Sequence, residues 1–242
     1  MCRNSINLDT VGYFARDPED LELLASFFSQ NNALPAPVPT MPPRMTKIAL
    51  LKTHVWPKAG PSLRSAWNQL SDLLTYQGAA ITELELPLSF SSHPVYHSNF
   101  LASEAYSSFF GYFLSTPSKL DAKIHKLIQE GAHITPSDLR RTYDSCASLR
   151  TQWDAIASEY DMVITPSVVD EAPLGLDYTG DASFCSLWTL LHAPVANVPG
   201  LSGKHNLPIG VSVVSARWTD EEVLRKAKVL GDALSQMQSQ DS

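Results

Sequence analysis

Residues 47–86 read KIALLKTHVWPKAGPSLRSAWNQLSDLLTYQGAAITELEL, and the periodicities in this stretch decide the fold class. Lys47 to Leu51 is an apolar run of strand length. Pro61-Ser62 opens a helix whose Leu63, Trp67, Leu70, Leu73 and Leu74 recur at helical spacing and which ends near Gly78. Ile81 to Leu86 alternates with period two and stops before Pro87. Strand, helix and strand within about 40 residues predict a βαβ element packed against a larger sheet. The class is α/β, a mixed β-sheet flanked by helices.

On the N-terminal side, a helix is expected over 17–29. Asp17 caps it, Pro18 suits its first turn, and Glu19 and Asp20 suit the positive end of its dipole. Leu21, Leu23, Leu24 and Phe27 form its apolar side. Residues 31–45 are a Pro-rich connector, because successive prolines prevent a regular helix or a central strand. On the C-terminal side, helices are expected over 98–114 and 120–130, and from Thr135-Pro136-Ser137 to about 158. Met162-Val163-Ile164 reads as a buried strand. A short apolar helix follows around Phe184 to Leu191, then strands over Val195–Val198 and Ile209–Val214, and a helix over Asp220–Leu234. Residues 236–242 form a flexible tail. Trp56, Trp67, Trp153, Trp188 and Trp218 fall in different elements and read as packing residues.

The chain carries 18 Lys and Arg against 25 Asp and Glu, a net charge of -7, with no basic cluster beyond Arg140-Arg141. Nucleic-acid binding needs concentrated positive charge, so that class is excluded. The apolar runs fall well short of the roughly 20 residues that span a bilayer. The three cysteines, Cys2, Cys146 and Cys185, form no CxxC pair, which argues against a zinc knuckle or a disulfide framework. The first residues turn polar and acidic at once, unlike a signal peptide, and a cytoplasmic location is expected. No glycine-rich nucleotide loop is present and no cofactor is expected. The histidines form neither HxxH nor HExxH. His93 and His97 are four apart, but Pro94 argues against one helical face for them, so no metal is expected.

Four stretches carry a family resemblance. LDTVGYFARDPEDLELL, residues 8–24, resembles the segment of amidase-signature enzymes written loosely as LDTVG-x-x-AR-x-x-EDL, with Tyr13 where relatives often have Pro. YDMVITPSVVDEAPLG, residues 160–175, resembles the family's strand ending in TP, then a loop and an AP pair. FCSLWTLLHAPVANVPG, residues 184–200, resembles the helix, turn and strand beside the family's active-site wall, with Thr189 where many relatives have Asn. LPIGVSVVSARWTDEEVLRKA, residues 207–227, resembles the LP-x-G strand and terminal helix; Ser215 replaces a usual Gly and Ser212 a frequent Gln. Order and spacing agree along the chain. The resemblance is to the C-terminal portion of a fungal-type amidase.

The resemblance implies amide C–N hydrolysis by a Ser-Ser-Lys arrangement. Lysine is the base, one serine relays the proton and the second attacks the carbonyl, while backbone N–H groups stabilise the oxyanion. In relatives these residues precede LDTVG. Only seven residues precede Leu8 here, with Ser5 and no lysine. No residue is therefore assigned as catalytic, and the chain is expected to be a single partial amidase-like domain over 1–242, truncated, its catalytic residues missing and inactive alone; the alternatives are a partner-dependent binding or assembly protein and a truncated representation of an active serine amidase. No GxSxG is present, and Ser91-Ser92 and Ser107-Ser108 lack flanking glycines. The resemblance carries substrate-cleft positions onto Thr165, Pro166, Asp170, Ala172, Pro173, Trp188, His192, Pro194 and Asn197. Expected partners are a small amide or ester ligand, and a protein partner or second copy covering the apolar surface and sheet edge that an incomplete core would expose.

Overall fold

The computed structural model describes residues 4–28 and 46–240. The Pro-rich 31–45 stretch and the last two residues of the expected tail lie outside the described residues. The elements in chain order are α1 (Pro18–Phe28), β1 (Lys47–Leu51), α2 (Pro61–Tyr76), β2 (Ala80–Leu84), α3 (His93–Ser115), α4 (Ala122–Gly131), α5 (Pro136–Ala157), β3 (Met162–Pro166), α6 (Ser183–Leu191), β4 (Val195–Ser202), β5 (Pro208–Val214) and α7 (Asp220–Gln240).

The strands form one sheet in the order β2-β1-β3-β5-β4. β1 runs parallel to both β2 and β3, which is the βαβ geometry expected from residues 47–86. β5 runs antiparallel to β3 and β4, so the sheet is mixed. Alternate residues of each strand point to opposite faces. Ile48, Leu50, Met162, Ile164, Val211 and Val213 pack on one face with Leu63, Trp67 and Leu70 of α2 and Val223, Ala227 and Leu230 of α7. Ala49, Leu51, Val163 and Val214 pack on the other with Leu149 and Trp153 of α5 and Leu187, Trp188 and Leu191 of α6. Each large apolar side chain among them contributes about 1.5–3 kcal/mol by leaving water.

Capping explains several boundaries. Asp17 Oδ1 accepts from Asp20 N (2.9 Å), Asp121 Oδ1 from Lys123 N (2.8 Å) and Thr135 Oγ1 from Asp138 N (3.1 Å). Other features differ from the sequence reading. α3 begins at His93, five residues before the expected start, because Pro94 sits in its first turn, where the missing N–H costs nothing. His93 and His97 therefore do share one stretch of helix. Among the described residues no group of three or more His, Cys, Asp and Glu gathers to hold a metal. Trp218 is not a packing residue: it occupies a turn with φ 67° and is 92% exposed. No helix among the described residues is long and apolar enough to cross a membrane.

Residues 4–8 dock on α3, α5 and α6. Leu8 joins Phe100, Cys146 and Leu190 in a small third core. Glu104 of α3 accepts hydrogen bonds from Ser5 Oγ and from the backbone and side chain of Asn7. Beyond Leu8 the chain becomes exposed, and α1 buries none of its residues.

Candidate functional site

Three neighbouring strands bring polar side chains into one row. Thr165 on β3 and Asn197 on β4 both pair in register with Ser212 on β5. Residues opposite one another point to the same face, so the three stand side by side. Ser167, just past β3, completes the group: its Oγ donates to Asn197 Oδ1 (2.7 Å) and lies 2.7 Å from Ser212 Oγ. Cys185 Sγ, in the first turn of α6, donates to Ser167 O (3.3 Å) and holds the loop. Thr165 Oγ1 is fully buried without a partner among the described residues. Pro166, opposite Val211, ends the strand and turns the chain toward Ser167.

The other expected cleft residues go elsewhere. Asp170 Oδ1 accepts from Leu63 N (3.1 Å) and caps α2, whose N-cap is Gly60; a Cβ on Gly60 would collide with this carboxylate. Ala172 and Pro173 lie in an exposed loop. Trp188 packs on Trp153 with ring centroids 4.9 Å apart, and its Nε1 is buried without a partner among the described residues. Pro194 accepts at its carbonyl from Ser215 N (3.3 Å). His192 caps α6 in the left-handed region (φ 55°), and its Nε2 lies 3.0 Å from both Asn7 O and the Arg150 guanidinium. Burial, then the Arg150 charge, holds its imidazole below the ordinary value of 6.5. One nitrogen makes one of these bonds at a time: without a hydrogen Nε2 accepts from Arg150, and with one it donates to Asn7 O, the tautomer in which His192 clasps residues 4–8. Of the nine expected positions, Thr165 and Asn197 are thus brought together, while Pro166, opposite Val211, faces the other side of the sheet.

Residues not singled out by sequence also have defined roles. Glu171 accepts from His205 N (2.8 Å), Leu207 N (3.2 Å) and His205 Nδ1 (2.8 Å), which pins the β4–β5 loop. Its neighbour Asp170 caps α2, so the two adjacent carboxylates tie separate elements together. Ser215 Oγ and Lys226 Nζ are 3.4 Å apart, a serine and an amine of the types used for nucleophile and base. Lys226 is shared with the Glu222 carboxylate at 3.6 Å, and Ser215 is 3% exposed. An ammonium donating to a hydroxyl cannot take its proton, and an acyl group cannot reach that hydroxyl, so this pair is structural. Ser91 Oγ donates to Leu88 O (2.7 Å) and Ser107 Oγ to Ser103 O (3.1 Å), both local backbone contacts.

The sequence matches the amidase family over residues 1–224. It is 24% identical over 247 aligned positions to a subunit of the mitochondrial glutamyl-tRNA(Gln) amidotransferase of the mouse, covering 88% of this chain and 46% of that protein. Its fold is similar to a structure from work on a vestigial protein complex and the origins of an s-triazine catabolic enzyme (TM-score 0.76, 18% identity, 95% of this chain and 55% of that one). It is also similar to 6-aminohexanoate cyclic dimer hydrolase complexed with substrate (TM-score 0.69, 16% identity, 91% of this chain and 54% of that one). The chain spans about half the length of these relatives.

These matches correct three sequence expectations: a C-terminal portion of the domain, a partial fold, and a truncated chain with its catalytic residues missing. The family match covers residues 1–224, and solved amidase structures align with 79% to 98% of this chain. The physical reason lies in the sheet, which is continuous from β2 to β4 with helices on both faces. The α/β amidase-type fold therefore spans nearly the whole chain. Four short motifs placed this sequence within a family more firmly than they placed it along the family's length. The chain belongs to the amidase family.

Proposed function

We propose that this protein hydrolyses amide C–N bonds through an activated serine, with the β3–β5–β4 row forming part of the wall that receives a small amide or ester. The observation that carries this reading is the convergence of Thr165, Asn197 and Ser212, from three separate family-like motifs, into one row. Thr165 and Ser212 are buried and Asn197 is the exposed member of the row, and its neutral carboxamide suits a neutral acyl compound better than a charged ligand, because it offers hydrogen bonds without a net charge to match. The nucleophile is left to experiment. A serine-reactive fluorophosphonate is added to the purified chain and the intact mass is read, beside an intact amidase as control. One stoichiometric adduct, located by peptide mapping, is expected. Absence of an adduct on folded protein while the control labels would sink the reading.

A second reading is a partner-dependent binding or assembly role. Its support is the apolar surface after Leu8, where Val11 is 79%, Phe14 101% and Phe27 79% exposed. Co-purification and size-exclusion chromatography test it: a chain that stays monomeric and captures no stable partner counts against it.

A further inference from the structure

The hydrogen bonds around Asn197 have a direction. Ser167 has one hydroxyl hydrogen, and it goes to Asn197 Oδ1 at 2.7 Å. Ser212 Oγ, 2.7 Å from Ser167 Oγ, must then be the donor of that second contact. Donation runs Ser212 to Ser167 to Asn197 Oδ1, and each bond polarises the next. The carboxamide is thereby fixed with its nitrogen turned away from the serines. Neither Nδ2 hydrogen has an acceptor among the described residues, and Asn197 is exposed. Gly210 is the floor beneath the group: a Cβ there would collide with the Asn197 carboxamide. Gly210 belongs to the LPIG stretch and Asn197 to the PVANVP stretch, so the absence of a side chain in one motif leaves room for the side chain of the other.

We propose that Asn197 is a ligand-binding residue whose preoriented Nδ2 hydrogens donate to the carbonyl oxygen of an amide or ester, with Ser167 and Ser212 as positioning residues and Gly210 as the floor. This rests on the amide-hydrolase reading for its ligand class. A fixed donor pair loses little orientational freedom when it binds an acceptor, which is what preorganisation contributes to affinity. The chemistry requires an acceptor only; a ligand N–H has no role at this atom.

The probe is N-methylacetanilide, an amide with a carbonyl acceptor and no N–H. It is titrated into 15N-labelled protein while the side-chain amide signals are followed. The Asn197 pair is identified as the one that vanishes in Asn197→Asp, a variant that keeps an oxygen for Ser167 and loses both hydrogens. The expected result is a saturable shift of that pair, with affinity falling about tenfold or more in Asn197→Asp. Ser212→Ala should move the Asn197 pair in the free protein and weaken binding, and Ser212→Thr should restore both. Unchanged affinity in Asn197→Asp overturns the proposal, as does absence of binding to the unaltered protein. Fluorophosphonate labelling scores the hydrolase reading separately: labelling without an Asn197 effect removes this inference alone, and an Asn197 effect without labelling removes the hydrolase reading alone.

Discussion

Residues 4–28 and the central sheet are held by different physics. In β1, β3 and β5 almost every side chain is buried, and cohesion is spread over many apolar contacts from both faces. The N-terminal arm depends on a few points. Leu8 is buried, Glu104 gathers the polar groups of Ser5 and Asn7, His192 meets Asn7 O, and Glu19 pairs with Lys228 of α7. The exposed ion pair at the end of that list is worth at most about 1 kcal/mol. The difference teaches that Leu8 alone anchors the LDTVG-like stretch in the core, and that the residues after it follow the core rather than forming part of it. It should open at a lower free energy than the sheet.

The largest effect that tests this contrast is expected in the core. Trp153 is fully buried, packs on Trp188 and donates from Nε1 to Ser215 O (3.0 Å). Trp153→Ala removes the ring, leaves a cavity and orphans that carbonyl, so a loss of about 3–5 kcal/mol is expected. Urea unfolding measures it. A loss below about 1 kcal/mol would mean that the α5–α6 face is as loosely held as the arm.

A smaller effect is expected from acid, and it should reach the arm. Burial holds His93, His97 and His192 below 6.5 in the folded state. Below pH 6.5 the unfolded chain therefore binds more protons at these sites than the folded one. Their stabilising contribution is complete above 6.5 and is lost as pH falls through the lower folded values. The carboxylates act later. Burial raises Asp154 and Glu171, but hydrogen bonds from Arg217 and His205 outweigh it and leave both below their ordinary values of 3.8 and 4.5. Limited proteolysis between about pH 8 and 5 should show cleavage within residues 9–28 rising below 6.5, and His192→Gln should flatten that rise. Cleavage that ignores pH, or that rises equally in the variant, would remove His192 as the clasp.

The sheet was legible because its signals are local. The 47–86 pattern contains its own strand, helix and strand, and Thr135-Pro136-Ser137 marks the start of α5. Pro94 misled because one residue type both breaks a helix interior and suits a first turn. The site was legible only in part. Thr165 and Asn197 stand in quoted motifs, but their meeting at Ser212 depends on register across β3, β5 and β4. Ser167 attracted no notice, since a serine after Thr-Pro carries no signal until Asn197, 30 positions away, lies beside it. Glu171 was hidden in the same way by the distance to His205, 34 positions on. His192 and Asp170 matched the family pattern, yet here they serve a clasp and a helix cap.

The smallest effect concerns the exposed end of the comparison. Phe14 is 101% exposed, so Phe14→Ser removes no contact within the described residues and should change stability in urea by less than about 0.5 kcal/mol. Solubility is a separate matter. Tyr13 stacks on Phe28 at 5.7 Å and Phe27 meets Phe28 at 5.2 Å, so Phe14 stands beside an apolar cluster that water covers poorly. Serine should therefore reduce concentration-dependent association on size-exclusion chromatography while leaving unfolding untouched. If stability instead falls by more than about 1 kcal/mol and the loss grows with protein concentration, Phe14 is covered in solution by a second copy. The arm would then be an interface with its own apolar core, and its contrast with the sheet would hold only for the isolated chain.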